Sequence, residues 1–230
     1  MKEVAKNVYQ ISLGMVNAFV IVDDGLTLID TGNKGSMGKI FSALEKNGKN
    51  PNDIKTIVLT HCHPDHAGSA AEIQKRLNIP VWAHTEDAKL IEKGIAGRKP
   101  MILSPGVVNR IIYNLFIKNT GNTIEPVKVD KLLNDNDIIP VAGGVRVIHT
   151  PGHCAGHIAL LVQNEGLLIA GDICANAMGL DLSAVYENRE LGVQSILKAV
   201  SFSFDKAVFG HGNLLNSNAS TKIKEKFSVV

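Results

Sequence analysis

Thr60-His61-Cys62-His63-Pro64-Asp65-His66 sets three imidazoles and a carboxylate within six residues, directly behind the apolar run Ile54-Lys-Thr-Ile-Val-Leu. The run reads as a strand. At a strand end, residues two apart project to the same side, so His61 and His63 can grip one ion while the turn at Pro64 swings Asp65 and His66 toward a second. Imidazole and carboxylate suit zinc and other first-row divalent metals, whereas calcium and magnesium call for oxygen ligands. One histidine is ordinarily a satisfied polar residue; three at this density need another explanation. Cys62, between two of them, points the opposite way by the same alternation.

Further ligands appear downstream, each behind an apolar run and beside glycine: His153 in Thr150-Pro-Gly-His-Cys-Ala-Gly-His157, Asp172 in Ala170-Gly-Asp, and His211 in Phe209-Gly-His-Gly212. Glycine lets the backbone turn sharply and come close to an ion. Singly these are ordinary turn sequences, and their significance lies in their conjunction.

Around these motifs the chain alternates strands and helices. Val8-Tyr-Gln-Ile-Ser-Leu, Ala18-Phe-Val-Ile-Val and Leu26-Thr-Leu-Ile-Asp30, with a turn at Asp23-Asp24-Gly25, read as an antiparallel meander. A helix is expected over 35–44, a strand over 54–60, a helix over 67–77 and a strand over 80–83, the last three making a βαβ unit. Strands at 145–149, 158–163 and 167–170, a helix at 190–200 and a strand at 206–209 repeat the pattern. Two sheets packed face to face with helices outside are the expected arrangement. Between the halves, 86–120 reads as a helical insertion with the apolar middle Ile111-Ile-Tyr-Asn-Leu-Phe-Ile117, either a buried helix or a lid over a cleft.

With 230 residues, 45% apolar and 20% charged, and no linker-like stretch, one domain over 1–230 is expected. A net charge of +2, spread along the chain, gives no footprint for nucleic acid or an anionic membrane, so the expected partner is a small-molecule substrate. Neither a signal sequence nor a membrane span is seen, and three cysteines are too few for a disulfide framework; a cytoplasmic location is expected. Cys62, Cys154 and Cys174 read as small buried residues, and His84, His149 and His157 as structural. An exposed 111–117 face would allow a homodimer.

Taken together, His-x-His-x-Asp-His, Thr-Pro-Gly-His, Gly-Asp, a late Gly-His and the early Leu28-Ile-Asp30-Thr-Gly32 resemble the metallo-β-lactamase-fold metallohydrolase superfamily, in its general hydrolase or glyoxalase II-like branch. The resemblance runs from Val8 to Gly212. It implies an α/β (α+β) fold, a four-layer αββα sandwich, with two divalent ions per chain. Zinc is the first expectation, iron or manganese the alternatives. His61, His63 and His153 would bind one ion, Asp65, His66 and His211 the other, and Asp172 both, with Asp30 orienting the loops by hydrogen bonds. The implied activity is hydrolysis of an ester, lactone or thioester by a metal-bridging hydroxide, with Asp65 moving the proton. Departures narrow the branch. The bridging aspartate and the missing signal are unlike zinc β-lactamases. The stretch Asp172-Ile-Cys-Ala-Asn-Ala-Met-Gly lacks the arginine usual in hydroxyacylglutathione hydrolases, and Ala175 stands where lactonases often carry tyrosine. A mononuclear iron oxygenase acting on a thiol-derived substrate and a non-catalytic metal-binding module remain as alternatives. Tyr113 and Phe116, three apart in the 100–119 segment, are expected to line an apolar substrate wall.

Overall fold

Strands whose residues are buried on both faces govern the architecture. In the computed structural model, which describes residues 1–228, strands β1 (Lys2–Ala5), β2 (Val8–Ser12), β3 (Asn17–Asp23) and β4 (Gly25–Ile29) form an antiparallel meander. Helix α1 (Met37–Glu45) leads to β5 (Ile54–Val58), parallel to β4, and α2 (Pro64–Ala67) and α3 (Ala70–Leu77) lead to β6 (Val81–His84), parallel to β5. After α4 (Thr85–Glu92), β7 (Ile102–Leu103) and α5 (Val107–Ile112), strand β8 (Lys131–Leu133) joins β6 and completes a seven-stranded sheet ordered β1-β2-β3-β4-β5-β6-β8. The second half supplies β9 (Ile138–Ile139), β10 (Val145–His149), β11 (Ile158–Val162), β12 (Leu167–Ile169), β13 (Val185–Tyr186), α6 (Arg189–Ala199), β14 (Lys206–Val208) and α7 (Ala219–Phe227). Its five-stranded sheet is ordered β14-β12-β11-β10-β9, and β13 pairs with β7.

The period-2 rule sorts the side chains of each strand into two apolar layers. Phe19 and Ile21 of β3 point with Val58 of β5 toward Val145, Val147, Leu160, Val162, Leu167 and Ile169 of the second sheet, forming the central core. The alternate residues Ala18, Val20, Leu28 and Ile57 face Ile40 and Leu44 of α1, Ile73 of α3 and Ile91 of α4. On the far side Ile148, Leu161 and Leu168 face Ile196 and Ala199 of α6 and Ile223 and Phe227 of α7. Three apolar interfaces between four layers of secondary structure make the αββα sandwich. No helix among the described residues is long and apolar enough to cross a membrane.

Strand direction decides where the polar motifs emerge. β12 and β14 are parallel, and β10, two antiparallel steps from β12, runs the same way, so all three end at one edge of the second sheet. That edge is tied to the first sheet by the Ile158 N–H donating to the Thr60 carbonyl (2.9 Å) and the Asn17 N–H donating to the Gly210 carbonyl (2.8 Å).

Two expectations are corrected. The helix over 67–77 divides at Gly68-Ser69 into α2 and α3. The 86–120 insertion is not one helix: α4 stops at Glu92, Gly94 takes φ 70°, and an irregular stretch with β7 separates α4 from α5. Beyond α5, Tyr113–Ile117 form one wide π-helical turn closed by the Lys118 N–H donating to the Tyr113 carbonyl (2.8 Å). Nor is the segment a buried helix, since Ile111, Leu115 and Phe116 are half to two-thirds exposed. The insertion hangs from a stem in which Asn122 donates to the Gly97 carbonyl (2.8 Å), and a Cβ on Gly97 would lie 3.0 Å from His63 Nε2.

The loop bearing His153 is wedged against α6, where a Cβ on Gly152 would fall 2.2 Å from the Gly192 nitrogen, and one on Gly192 would fall 2.5 Å from the buried Tyr186 ring. Alanine in a helix interior ordinarily gains about 1 kcal/mol over glycine. Here overpacking reverses the sign, and Gly192→Ala is expected to destabilise the fold by about 1–3 kcal/mol in urea unfolding; a gain in stability contradicts this packing.

Candidate metal centre

Four loops and the short helix α2 deliver seven side chains to the shared edge. His61 and His63 come from the β5–α2 loop, Asp65 and His66 from α2, His153 from the β10–β11 loop, Asp172 from the turn after β12 and His211 from the loop after β14. The ligating atoms of His61, His63 and His153 lie within 4.8 Å of one another, and so do those of Asp65, His66 and His211. Asp172 stands between the two groups: its Oδ2 is 3.7 Å from His153 Nε2, 3.5 Å from His66 Nε2 and 3.1 Å from His211 Nε2. All seven residues predicted as ligands thus meet in one place. Asp65 Oδ2 is 3.2 Å from His211 Nε2, and Asp65 is the more open of the two acids.

The outward nitrogens of the rings are held by acceptors. His153 Nδ1 faces the Val185 carbonyl (2.9 Å), His211 Nδ1 the Met15 carbonyl (2.7 Å) and His66 Nδ1 the Asp30 carboxylate (2.8 Å). The Thr60 hydroxyl donates to Asp30 Oδ2 (2.7 Å), so it accepts from His61 Nδ1 (2.9 Å). Each partner puts the ring proton on Nδ1 and turns the Nε2 lone pair inward. His63 is the exception, presenting Nδ1 to His153 Nε2 at 2.9 Å. Asp30 is itself buried, at φ 59°, and accepts from the Thr60 N–H (2.8 Å) as well, which ties the start of the histidine motif to the end of β4.

Burial, reinforced by mutual repulsion among His66, His63 and His153, drives His61 well below the usual histidine range, and burial with His63 does the same to His153. These rings are neutral, the form that binds metal. At His66 and His211, burial opposes charge but Asp172 and Asp65 overcome it and raise both well above the ordinary value. The same pairs hold Asp172 and Asp65 low against the effect of burial. A cation would replace those imidazole protons as the partner of the two carboxylates. His61 Nε2, His66 Nε2 and Asp172 Oδ1 are buried with no hydrogen-bond partner. Buried polar atoms are rarely left so, and three of them converging in one cluster fit divalent metal.

The sequence pattern of the metallo-beta-lactamase superfamily matches residues 11–211. The chain belongs to that superfamily. It is similar to the probable metallo-hydrolase YflN of Bacillus subtilis, 25% identical over 228 residues, covering 91% of this chain and 85% of that one. Among solved structures it resembles a metallo-beta-lactamase family protein of Thermus thermophilus, with TM-score 0.71 and 23% identity over 97% of this chain and 79% of the other. It also resembles a beta-lactamase from Chitinophaga pinensis, with TM-score 0.68 and 25% identity over 91% and 77%. Superfamily membership accounts for the αββα layers and for histidines and aspartates able to hold metal at the sheet edge.

The remaining polar residues of the motifs have structural partners. His157 Nε2 accepts from the Asp172 N–H (2.9 Å) and its Nδ1 meets the Thr150 hydroxyl (2.7 Å); burial lowers it to about 3. Its task is to hold the backbone of Asp172. All three cysteines are buried. Tyr113 and Phe116 stand outside the cluster, on the wide turn of the insertion. What sequence reasoning missed are Thr60 and the Val185 and Met15 carbonyls; of these only Thr60, adjoining the first histidine, carried any signal.

His84 and His149 stack at 3.9 Å between centroids, and His84 Nδ1 accepts from the Glu86 N–H at the start of α4 (3.2 Å). Burial, then repulsion by His149, lowers His84 to about 4. A histidine lowered in the fold favours folding above its unfolded value near 6.5 and loses that contribution as pH falls toward 4. Between about pH 7 and 4.5 the His84→Asn chain, which keeps a capping acceptor, is therefore expected to lose less stability than the parent, by up to about 3 kcal/mol in urea unfolding. Parallel acid limbs in the two chains contradict it.

Proposed function

We propose that the chain is a two-ion metal-dependent hydrolase that cleaves an ester, lactone or thioester of a small molecule. The observation that supports it most is the pairing of two ligand groups around one carboxylate, Asp172, with unpartnered buried nitrogens on both sides. His61, His63 and His153 hold one ion, Asp65, His66 and His211 the other, and Asp172 reaches both. Zinc is the first candidate, with iron or manganese accepted by the same donors. Such a pair supplies Lewis acidity and lowers the pKa of water toward neutrality.

The chain's own contribution is orientation and proton movement. Neutral His61 and His153 offer lone pairs without first losing a proton, and the carbonyls of Val185 and Met15 fix the rings of His153 and His211. Asp65, at the open side of the cluster, would pass a proton between solvent and the departing group through the carboxylate oxygen that faces away from His211. Tyr113 and Phe116 form an apolar wall for the acyl or alkyl part of the substrate. The exposure of Phe116 and its neighbours, unusual for large apolar side chains in a segment rooted beside His63, supports that role.

Asp172→Ala is expected to lose metal and hydrolysis together, by at least about a hundredfold in kcat/KM, because both ions depend on that carboxylate. His157→Ala, which frees the Asp172 N–H but removes no donor atom, should lose far less metal than Asp172→Ala while its stability falls. Panels of lactones, thioesters and phosphodiesters of increasing chain length identify the substrate class, and Tyr113→Ala with Phe116→Ala should raise KM selectively for the long chains. Equal metal loss in the Asp172 and His157 variants, or full activity without metal, contradicts the proposal.

A further inference from the structure

Behind the three-histidine group lies a carboxylate with no part in the chemistry above. Asp87, in the first turn of α4, is wholly buried. A charge in that position persists only if it is paired and hydrogen-bonded. Its Oδ2 accepts from the Cys62 N–H (3.1 Å) and from the Cys154 thiol (3.1 Å); its Oδ1 accepts from the Gly156 N–H (3.0 Å) and from Arg98 Nη1 (3.1 Å). Cys62 lies between His61 and His63, and Cys154 follows His153. One side chain thus holds both loops that carry the three-histidine group.

Other contacts mark this cradle as built. Arg98 supplies the balancing charge and donates its backbone N–H to Glu187 Oε1 (2.9 Å), while Glu187 Oε2 accepts from the Ala155 N–H (2.9 Å), so the second loop is gripped twice. Gly156 leaves the space that Asp87 occupies, since a Cβ there would meet the Asp87 carboxyl carbon at 2.4 Å. Among the described residues, no backbone hydrogen bond joins 61–63 to 153–156. Cys62, Cys154 and Asp87 also bring possible ligand atoms within 4.8 Å of one another. With four donors already on the carboxylate, however, the group is a hydrogen-bond node rather than a third metal site.

We infer that Asp87 is a positioning residue, setting the separation of His61 and His63 from His153 through Cys62, Cys154 and Gly156, with Arg98 as its counter-charge. The inference rests on the two-ion reading and assigns to Asp87 the half of the site formed by the three histidines. Asp65, His66 and His211 are held by other partners, Asp30 and the Met15 carbonyl among them, and do not depend on Asp87.

The test is a cobalt(II) titration of metal-stripped protein, in which the three-histidine step is the one that His153→Ala abolishes. Asp87→Asn should weaken that step by about 10–100-fold, the range typical when a residue supporting ligands is changed, and leave the other step within about twofold. In the metal-free chain it should also shift the Cys62 and Gly156 amide resonances more than those near His211. Arg98→Gln, at a partly exposed position, should move the same step in the same direction should Asp87→Asn fold poorly. Ile91→Ala, which hollows the packing of the same helix without touching the cradle, should leave both steps within about twofold. Equal weakening of both steps by Asp87→Asn, or an unchanged three-histidine step with the amides of Cys62 and Gly156 displaced, overturns the inference while leaving the two-ion reading intact. A parent chain that takes up no cobalt overturns both.

Discussion

Several imidazoles and two carboxylates gathered at a largely buried edge, open to solvent beside Asp65 and His211, form a system that is unstable on its own terms. With neutral rings the His61 Nε2 lone pair has no donor to meet it, and the His153 Nε2 lone pair has only His63 Nδ1, 2.9 Å away, when that nitrogen carries the His63 proton. On the other side Asp172 and Asp65 draw His66 and His211 toward the charged form. A divalent cation resolves both conflicts, accepting lone pairs on one side and replacing protons on the other. The rest of the molecule is arranged so that this congested edge stays assembled.

The sandwich does so by geometry. Its strands β10, β12 and β14 end at one edge, and the neighbouring sheet contributes β5 to the same edge through direct backbone hydrogen bonds. Each ligand therefore sits within a few residues of a strand buried on both sides, where a packed core limits its movement. Acceptors on the outer face of the rings complete the orientation. Asp30 links β4 to His66 and Thr60, while Asp87 links α4 to the loops of His61, His63 and His153. Asp30 thus reaches both groups of rings, His66 directly and His61 through Thr60, while Asp87 reaches only the loops of the three-histidine group.

The candidate ligands were legible in sequence because histidine and aspartate carry their chemistry on the side chain, and the structure brings all seven together because motifs after apolar strands leave little freedom in where they point. Longer strands such as β3, β10 and β11 were legible for a similar reason, their runs being largely apolar. β8 and β9, two or three residues long, fall below the length at which periodicity speaks. The insertion stayed open between a buried helix and a lid because the apolar content of 111–117 matches both; its exposure, with Leu115 69% accessible, excludes the buried helix. The Val185 and Met15 carbonyls that orient His153 and His211 have no side-chain signature. Asp87 was hidden differently, as an acid in the first turn of a helix, where a favourable dipole explains it without reference to a site.

Anomalous diffraction from crystals of the protein purified without added metal, recorded on either side of the zinc, iron and manganese absorption edges, tests the central claim most directly. The account predicts two peaks per chain, one enclosed by His61, His63 and His153 and the other by Asp65, His66 and His211, with Asp172 facing both. A single peak confined to the three histidines, in crystals of fully active protein, would contradict it.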